Sequence, residues 1–159
     1  MWFFMNTCYL LSALSFLMIL LAGLQGYFHF FILTANHPTF ALLTIIVYLF
    51  TQTLIIFYFV GIGISIRDYV KDKKLSSDFH NRSLAVKRKV YPPLLLNILL
   101  VMILFITGGA VHTGHLSARI HGLLFILSLI HLMKTIRVQH QCFRESTFIV
   151  LDMSGIKHG

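Results

Sequence analysis

Hydrophobic residues occupy the chain in four long stretches that polar segments separate. The stretches cover about residues 8–33, 40–66, 92–111 and 117–136, and Arg67 is the first charged residue. One bilayer crossing needs about 20 mostly apolar residues, so a sequence this long without charge exceeds any single core helix of a soluble domain. The pattern therefore predicts an all-α integral membrane protein with four transmembrane helices.

The breaks between the stretches predict where the helices turn. "TANHPT" (34–39) ends the first stretch, and Pro92–Pro93 suits the first turn of the third helix. The intervening segment 67–90 is expected to hold a helical extension, a turn at "LSSD" and a basic approach to the third span. In the cytoplasmic tail, 137–159, the stretch "FRESTFIVLDMSGIKHG" (143–159) is expected to form a short interfacial or partner-binding segment. The N-terminal apolar run lacks a basic start and exceeds a signal-peptide core in length, which favours a retained span.

The distribution of charge predicts the topology. Segment 67–90 carries eight Lys or Arg, the end of span four and the tail add Lys134, Arg137, Arg144 and Lys157, and the connections 34–39 and 112–118 carry none. Four spans alternate sides, so both basic segments fall on one face, which the positive-inside rule makes cytoplasmic. We expect a single membrane domain, 1–159, folded as an up-down four-helix bundle with both termini in the cytoplasm. A bacterial inner membrane is favoured over a mitochondrial one.

Composition excludes several classes of protein. The chain is 57% hydrophobic and only 11% charged, with a formal net charge of +8. In a membrane protein this charge indicates basic loops facing anionic lipid, here at 67–90, rather than nucleic-acid binding. Cys8 and Cys142 lack the spacing of a zinc site or a disulfide framework. No nucleophile–base set or carboxylate pair is apparent, which disfavours hydrolytic chemistry.

Histidines provide the candidate chemistry, because imidazole is the commonest metal ligand and a usual axial ligand of haem iron. Five of the nine gather at the predicted outer face, from both helical hairpins, and one lies deeper in span four. His80, His140 and His158 fall in polar cytoplasmic sequence and are expected to be solvated. The outer residues are His29, His37, His112, His115 and His121, and the deeper one is His131. Their alternative roles are interfacial placement for the outer group and a helix–helix hydrogen bond for the deeper one.

Two short motifs carry a resemblance to a known family. "TGGAVH" (107–112), followed by "RIHGLLFILSLIH" (119–131), resembles the pattern of small membrane cytochromes b over about 25 residues. The resemblance implies a subunit that binds haem b, often beside a quinone, and passes electrons to a partner. It makes His29, His112, His121 and His131 the candidate haem ligands.

Helix geometry limits how these histidines combine. Ten residues separate His121 from His131, which places them about 15 Å apart along a helix and on different faces. They cannot bind one iron together, so at most one haem is expected. Other polar residues in or beside the spans are Gln52, Asn97 and Arg119. Gln52 must find a protein partner because lipid offers none, and it could also line a quinone or solute pocket.

Three functional interpretations remain open. The first is a structural, accessory or assembly subunit of a larger membrane complex, without a cofactor. The second is an electron-transport subunit that carries one haem b, with quinone and other membrane subunits as partners. The third is a metal or small-solute transporter in which outer histidines, His37 and His115 included, admit copper or zinc. Under the haem interpretation, His121→Ala and His29→Ala are expected to abolish haem binding without affecting membrane insertion.

Overall fold

The chain forms four long helices in the computed structural model, which describes residues 2–32 and 34–155. The helices are α1 (Trp2–Phe28), α2 (His37–Asp72), α3 (Asp78–His112) and α4 (Ala118–Met153). Each is long and apolar enough to cross a membrane. The predicted all-α class is therefore confirmed, as is the prediction of four helices long and apolar enough to span a membrane. His158 and the end of the predicted tail lie outside the described residues.

Consecutive helices pack side by side, and α1 and α4 make the smallest contact of the neighbouring pairs. The ends of α1 and α3 meet the starts of α2 and α4 at one end of the bundle, which we call the histidine end. The opposite end, which carries the basic segments, is the basic end. This is the predicted up-down order. The cytoplasmic location of the basic end stays a prediction.

The helical boundaries differ from the predicted spans at the basic end. The extension predicted after span two is confirmed, since α2 continues to Asp72 and a short turn, 73–77, leads into α3. The predicted start of a helix at Pro92–Pro93 is wrong, because both prolines lie inside α3. Proline has a helical φ, and it removes a hydrogen bond that only the interior of a helix requires. The sequence alone does not show whether a proline lies in the first turn of a helix or in its interior.

Residues 137–153, which the sequence predicts to belong to a separate tail, are a continuous part of α4. This helix has 36 residues, which corresponds to about 54 Å at 1.5 Å per residue, well beyond a hydrocarbon core of about 30 Å. The extra length packs against the other helices at the basic end. The buried side chains there come from all four helices and include Met5, Cys8, Ile62, Ile66, Val86, Phe143 and Ile149.

Ion pairs join α3 to α4 in the same region. Arg82 Nη1 lies 2.9 Å from Asp152 Oδ2, and Lys89 Nζ lies 2.5 Å from Glu145 Oε1. All four side chains are partly exposed, so the pairs contribute little to stability. Apolar side chains fill the interior of the basic end. At the histidine end, by contrast, the helices enclose an open cleft.

Candidate functional site

A cleft of about 1420 Å³ lies at the histidine end, between the α1–α2 and α3–α4 hairpins. All four helices line it, and its walls are almost entirely aliphatic and aromatic. Its inner boundary includes Ile19, Ile45 and Val101, which belong to a small buried cluster in the middle of the bundle. We call this space the histidine cleft, because imidazole rings supply most of its polar atoms.

Four of the five predicted outer histidines line the histidine cleft. His29 and His37 come from the first hairpin, and His112 and His121 come from the second. Arg119, in the first turn of α4, lies at the edge of the same space. His115 is not among the described lining residues, and its side chain is exposed. The structure therefore brings together residues that are far apart in sequence, as the two-hairpin topology predicted.

His37 and His121 are the two half-buried rings of this group, whereas His29 and His112 are exposed. Each half-buried ring packs over a glycine of the neighbouring helix. A Cβ atom added to Gly26 would lie 3.0 Å from Cε1 of His37, and one added to Gly108 would lie 3.2 Å from Cε1 of His121. Both distances are shorter than an ordinary van der Waals contact of a Cβ atom. The two glycines therefore create the space in which the two rings lie.

The nitrogen atoms of the two rings have different surroundings. The ring of His37 is hydrogen-bonded to the backbone of Ala22 on α1, whereas its Nδ1 is buried and has no hydrogen-bond partner among the described residues. Nδ1 of His121 lies 3.2 Å from the hydroxyl oxygen of Thr107 on α3. His37 is close enough to interact electrostatically with both His29 and His121. An unpaired buried nitrogen is uncommon in a folded protein.

A metal centre built from several side chains finds no support in residues 2–32 and 34–155. Across this part of the chain no three His, Cys, Asp or Glu residues lie close enough to hold an ion together. The structure also separates the two predicted metal residues, since His37 lines the cleft and His115 does not. What the cleft offers is one half-buried imidazole from each hairpin.

His131 lies apart from the cleft, in a polar layer at the middle of the bundle. Its Nδ1 is 3.2 Å from Nδ2 of Asn97, and the Tyr48 hydroxyl donates to Oδ1 of Asn97 at 2.6 Å. Asn97 and Tyr48 are fully buried. The interaction agrees with the helix–helix hydrogen bond that was weighed for His131 as the alternative to a ligand role.

Gln52 finds its partner in the same layer. Nε2 of Gln139 donates to Oε1 of Gln52 at 2.9 Å, and Ser15 and Thr51 share a hydrogen bond of 2.8 Å between α1 and α2. Gln139 falls in the segment that the sequence predicts to be the tail, so its pairing with Gln52 was not predicted. The repeat of Thr135, Gln139, Cys142 and Ser146 at intervals of three or four residues could have revealed a buried face of a continuous helix.

Charge is distributed unevenly along the bundle. All five acidic residues of the chain lie at the basic end, namely Asp68, Asp72, Asp78, Glu145 and Asp152. The histidine end therefore combines apolar walls with imidazoles and one guanidinium. Such a site suits a ligand that has a large apolar body and acidic groups at one edge. Comparison with protein-family models, curated proteins and solved structures finds no match to this chain.

Proposed function

We propose that this chain is a small membrane subunit that binds one haem b in the histidine cleft and takes part in electron transfer within a larger redox complex. One observation carries the proposal: each hairpin contributes one half-buried imidazole to a single apolar cleft. Haem iron in proteins takes axial ligands from side chains, and histidine is the usual one. The predicted ligands His112 and His29 have exposed side chains, so His37 and His121 are the favoured pair.

The residues of the cleft fit a haem in three respects. The walls are apolar, which suits the porphyrin ring. Glycines beside the two histidines let backbone and ring approach closely, and Nδ1 of His37 lacks a partner in the described structure. Arg119 and His112 line the edge of the cleft, where they can pair with the carboxylates of the haem.

The bound haem would supply one-electron chemistry, and the chain would supply binding, orientation and shielding from water. His37 and His121, one from each hairpin, would hold the iron. Ile19, Ile45 and Val101 close the inner side and keep water from the ring. The polar layer around Asn97 and His131 fixes the helices below the cleft, and so maintains the separation of the two hairpins.

The exposed side chains of the chain indicate which lipids and partners surround such a subunit. Many large apolar side chains are exposed along all four helices, as expected where lipid or other membrane subunits cover them. We place the basic end in the cytoplasm, against anionic lipid at 67–90, in a bacterial inner membrane. A quinone that exchanges electrons with the haem is a natural partner from the lipid phase.

The second candidate is an accessory subunit without a cofactor. The hydrogen bonds of the polar layer favour it, because Tyr48, Asn97, His131, Gln52 and Gln139 satisfy one another within the chain. A bundle held together in this way does not need a haem for its cohesion.

An optical spectrum of the detergent-purified full chain distinguishes the two candidates. The protein is produced in cells with ample haem, and spectra are recorded before and after reduction with dithionite. A sharp reduced α-band with one haem per chain is the expected result. A featureless spectrum, from protein that is monodisperse and helical by circular dichroism, would contradict haem binding and favour the accessory subunit.

Gly108 provides a test of the cleft geometry with a matched control on the same helix. Gly108→Val should displace the ring of His121, and overpacking of this kind costs about 1–3 kcal/mol, which is about a tenfold to hundredfold loss of haem affinity. Gly109→Val should have little effect, because no atom lies within 4 Å of a Cβ added there. Haem titration of the cofactor-free proteins measures both. Equal affinities for the two variants would contradict the placement of the haem at His121.

A further inference from the structure

Two of the three histidines of α4, His121 and His131, have different hydrogen-bond partners. The partner of His121 is the hydroxyl of Thr107, and the partner of His131 is the side-chain amide of Asn97. A neutral imidazole has one N–H donor and one acceptor nitrogen, and the partner of one nitrogen determines which is which. The two partners therefore determine where each ring carries its lone pair.

The shorter of its two hydrogen bonds makes Thr107 an acceptor from His121. Its hydroxyl lies 2.9 Å from the carbonyl oxygen of Leu104. A carbonyl oxygen has no hydrogen to give, so the single hydrogen of the hydroxyl points to it. The oxygen of Thr107 is then left as an acceptor, 3.2 Å from Nδ1 of His121. Nδ1 must carry the hydrogen, and Nε2 keeps the lone pair.

Asn97 imposes the opposite arrangement on His131. The Nδ2 atom of Asn97 lies 3.4 Å from the carbonyl oxygen of Ser128, and its Oδ1 accepts from the hydroxyl of Tyr48. These contacts fix the orientation of the amide, because a backbone carbonyl only accepts. Nδ2 therefore donates to Nδ1 of His131 at 3.2 Å, which is shorter than the 3.4 Å contact of the Thr135 hydroxyl with the same nitrogen. The hydrogen of the neutral ring lies on Nε2, which cannot then bind a metal.

We infer that Thr107 is a positioning residue that holds His121 as the Nδ1–H tautomer and leaves Nε2 as the electron-pair donor of the histidine cleft. Asn97 holds His131 as the Nε2–H tautomer, so that His131 serves the packing of the bundle. The significance for haem rests on the proposed function, whereas the tautomers themselves do not. A hydrogen bond to the second nitrogen of a ligating histidine is the usual means by which proteins orient the ring.

Nitrogen-15 NMR of the full chain, labelled on histidine and free of cofactor, tests the assignment. Signals are assigned with His121→Gln and His131→Gln, at a pH where both rings are neutral. His121 should show the Nδ1–H pattern and His131 the Nε2–H pattern. Thr107→Val should abolish the preference at His121, and Thr107→Ser should retain it. Thr113→Val is the matched control, because its hydroxyl bonds only to carbonyls of its own helix.

Haem titration of the same variants supplies the second measurement. Thr107→Val should weaken haem binding about tenfold to a hundredfold, the usual loss when a ligand's hydrogen-bond partner is removed. Thr107→Ser and Thr113→Val should bind as the wild type does. An Nε2–H pattern for His121 in the wild type would overturn the inference. The Nδ1–H pattern in a protein that binds no haem would confirm it and contradict the proposed function instead.

Discussion

Replacing His121 with alanine is expected to give a folded, membrane-inserted protein that contains no haem. The ring is half-buried, and its one hydrogen bond in the structure is with Thr107. Loss of one such bond costs only about 1 kcal/mol, so the bundle should survive. Loss of an axial ligand removes the group that fixes the iron, and no other half-buried histidine on α3 or α4 lines the cleft.

The same experiment on the first hairpin separates two candidate ligands. His37 is half-buried with an unpaired Nδ1, whereas His29 is exposed. We therefore expect His37→Ala to remove the haem and His29→Ala to weaken its binding less. The haem-to-protein ratio of detergent-purified variants is the measurement, with circular dichroism to verify folding. A full haem complement in both His121→Ala and His37→Ala would disprove the ligand pair, and loss in His29→Ala alone would restore the ligand expected from sequence.

Replacing Phe143 with alanine should destabilise the bundle by about 3–5 kcal/mol, the usual cost of truncating a buried aromatic side chain. Phe143 is only 1% exposed and packs against three rings. Its centroid lies 4.8 Å from that of Tyr58 and 5.0 Å from those of Phe59 and Tyr9. These residues come from α1, α2 and α4, so the substitution should loosen the basic end where the helices extend beyond the hydrocarbon core.

Phe57→Ala is the matched control for this prediction. Phe57 lies on α2, one position before Tyr58, and is 62% exposed. Its truncation should change stability by less than about 1 kcal/mol, since surface substitutions usually have small effects. Reversible unfolding in mixed detergent micelles, followed by circular dichroism, measures both variants. Similar stabilities for the two would contradict the assignment of residues near Phe143 to a tightly packed core.

Long-range regularities in the sequence were sufficient for the architecture. Four apolar stretches separated by polar segments predicted the helices, because the hydrocarbon core imposes both length and apolar composition on a spanning segment. The alternation of basic and uncharged connections predicted the pairing of the ends. Local features were less informative. Pro92 and Pro93 were assigned to a helix start although they lie inside α3, since proline satisfies the φ angle in both places.

For the candidate site, too, the sequence predicted the long-range arrangement but not the local one. The sequence placed histidines of both hairpins at one end, because side chains at the ends of antiparallel helices must meet. It did not distinguish His37, which is half-buried over Gly26, from His29, which is exposed. That difference depends on which side of a turn faces the neighbouring helix. The spacing of His121 and His131 correctly predicted that they do not share a site, because helix geometry alone determines their separation.

The sequence by itself determined the helical class, the number of spans, the up-down order and the gathering of histidines at one end. These follow from composition and helix periodicity, which act along the chain. Only the tertiary structure decided that Gln52 pairs with Gln139, that His131 pairs with Asn97, and that Thr107 faces His121. Such pairs depend on the rotation and axial shift of one helix against another. Packing of the whole bundle sets those two quantities, and no local pattern encodes them.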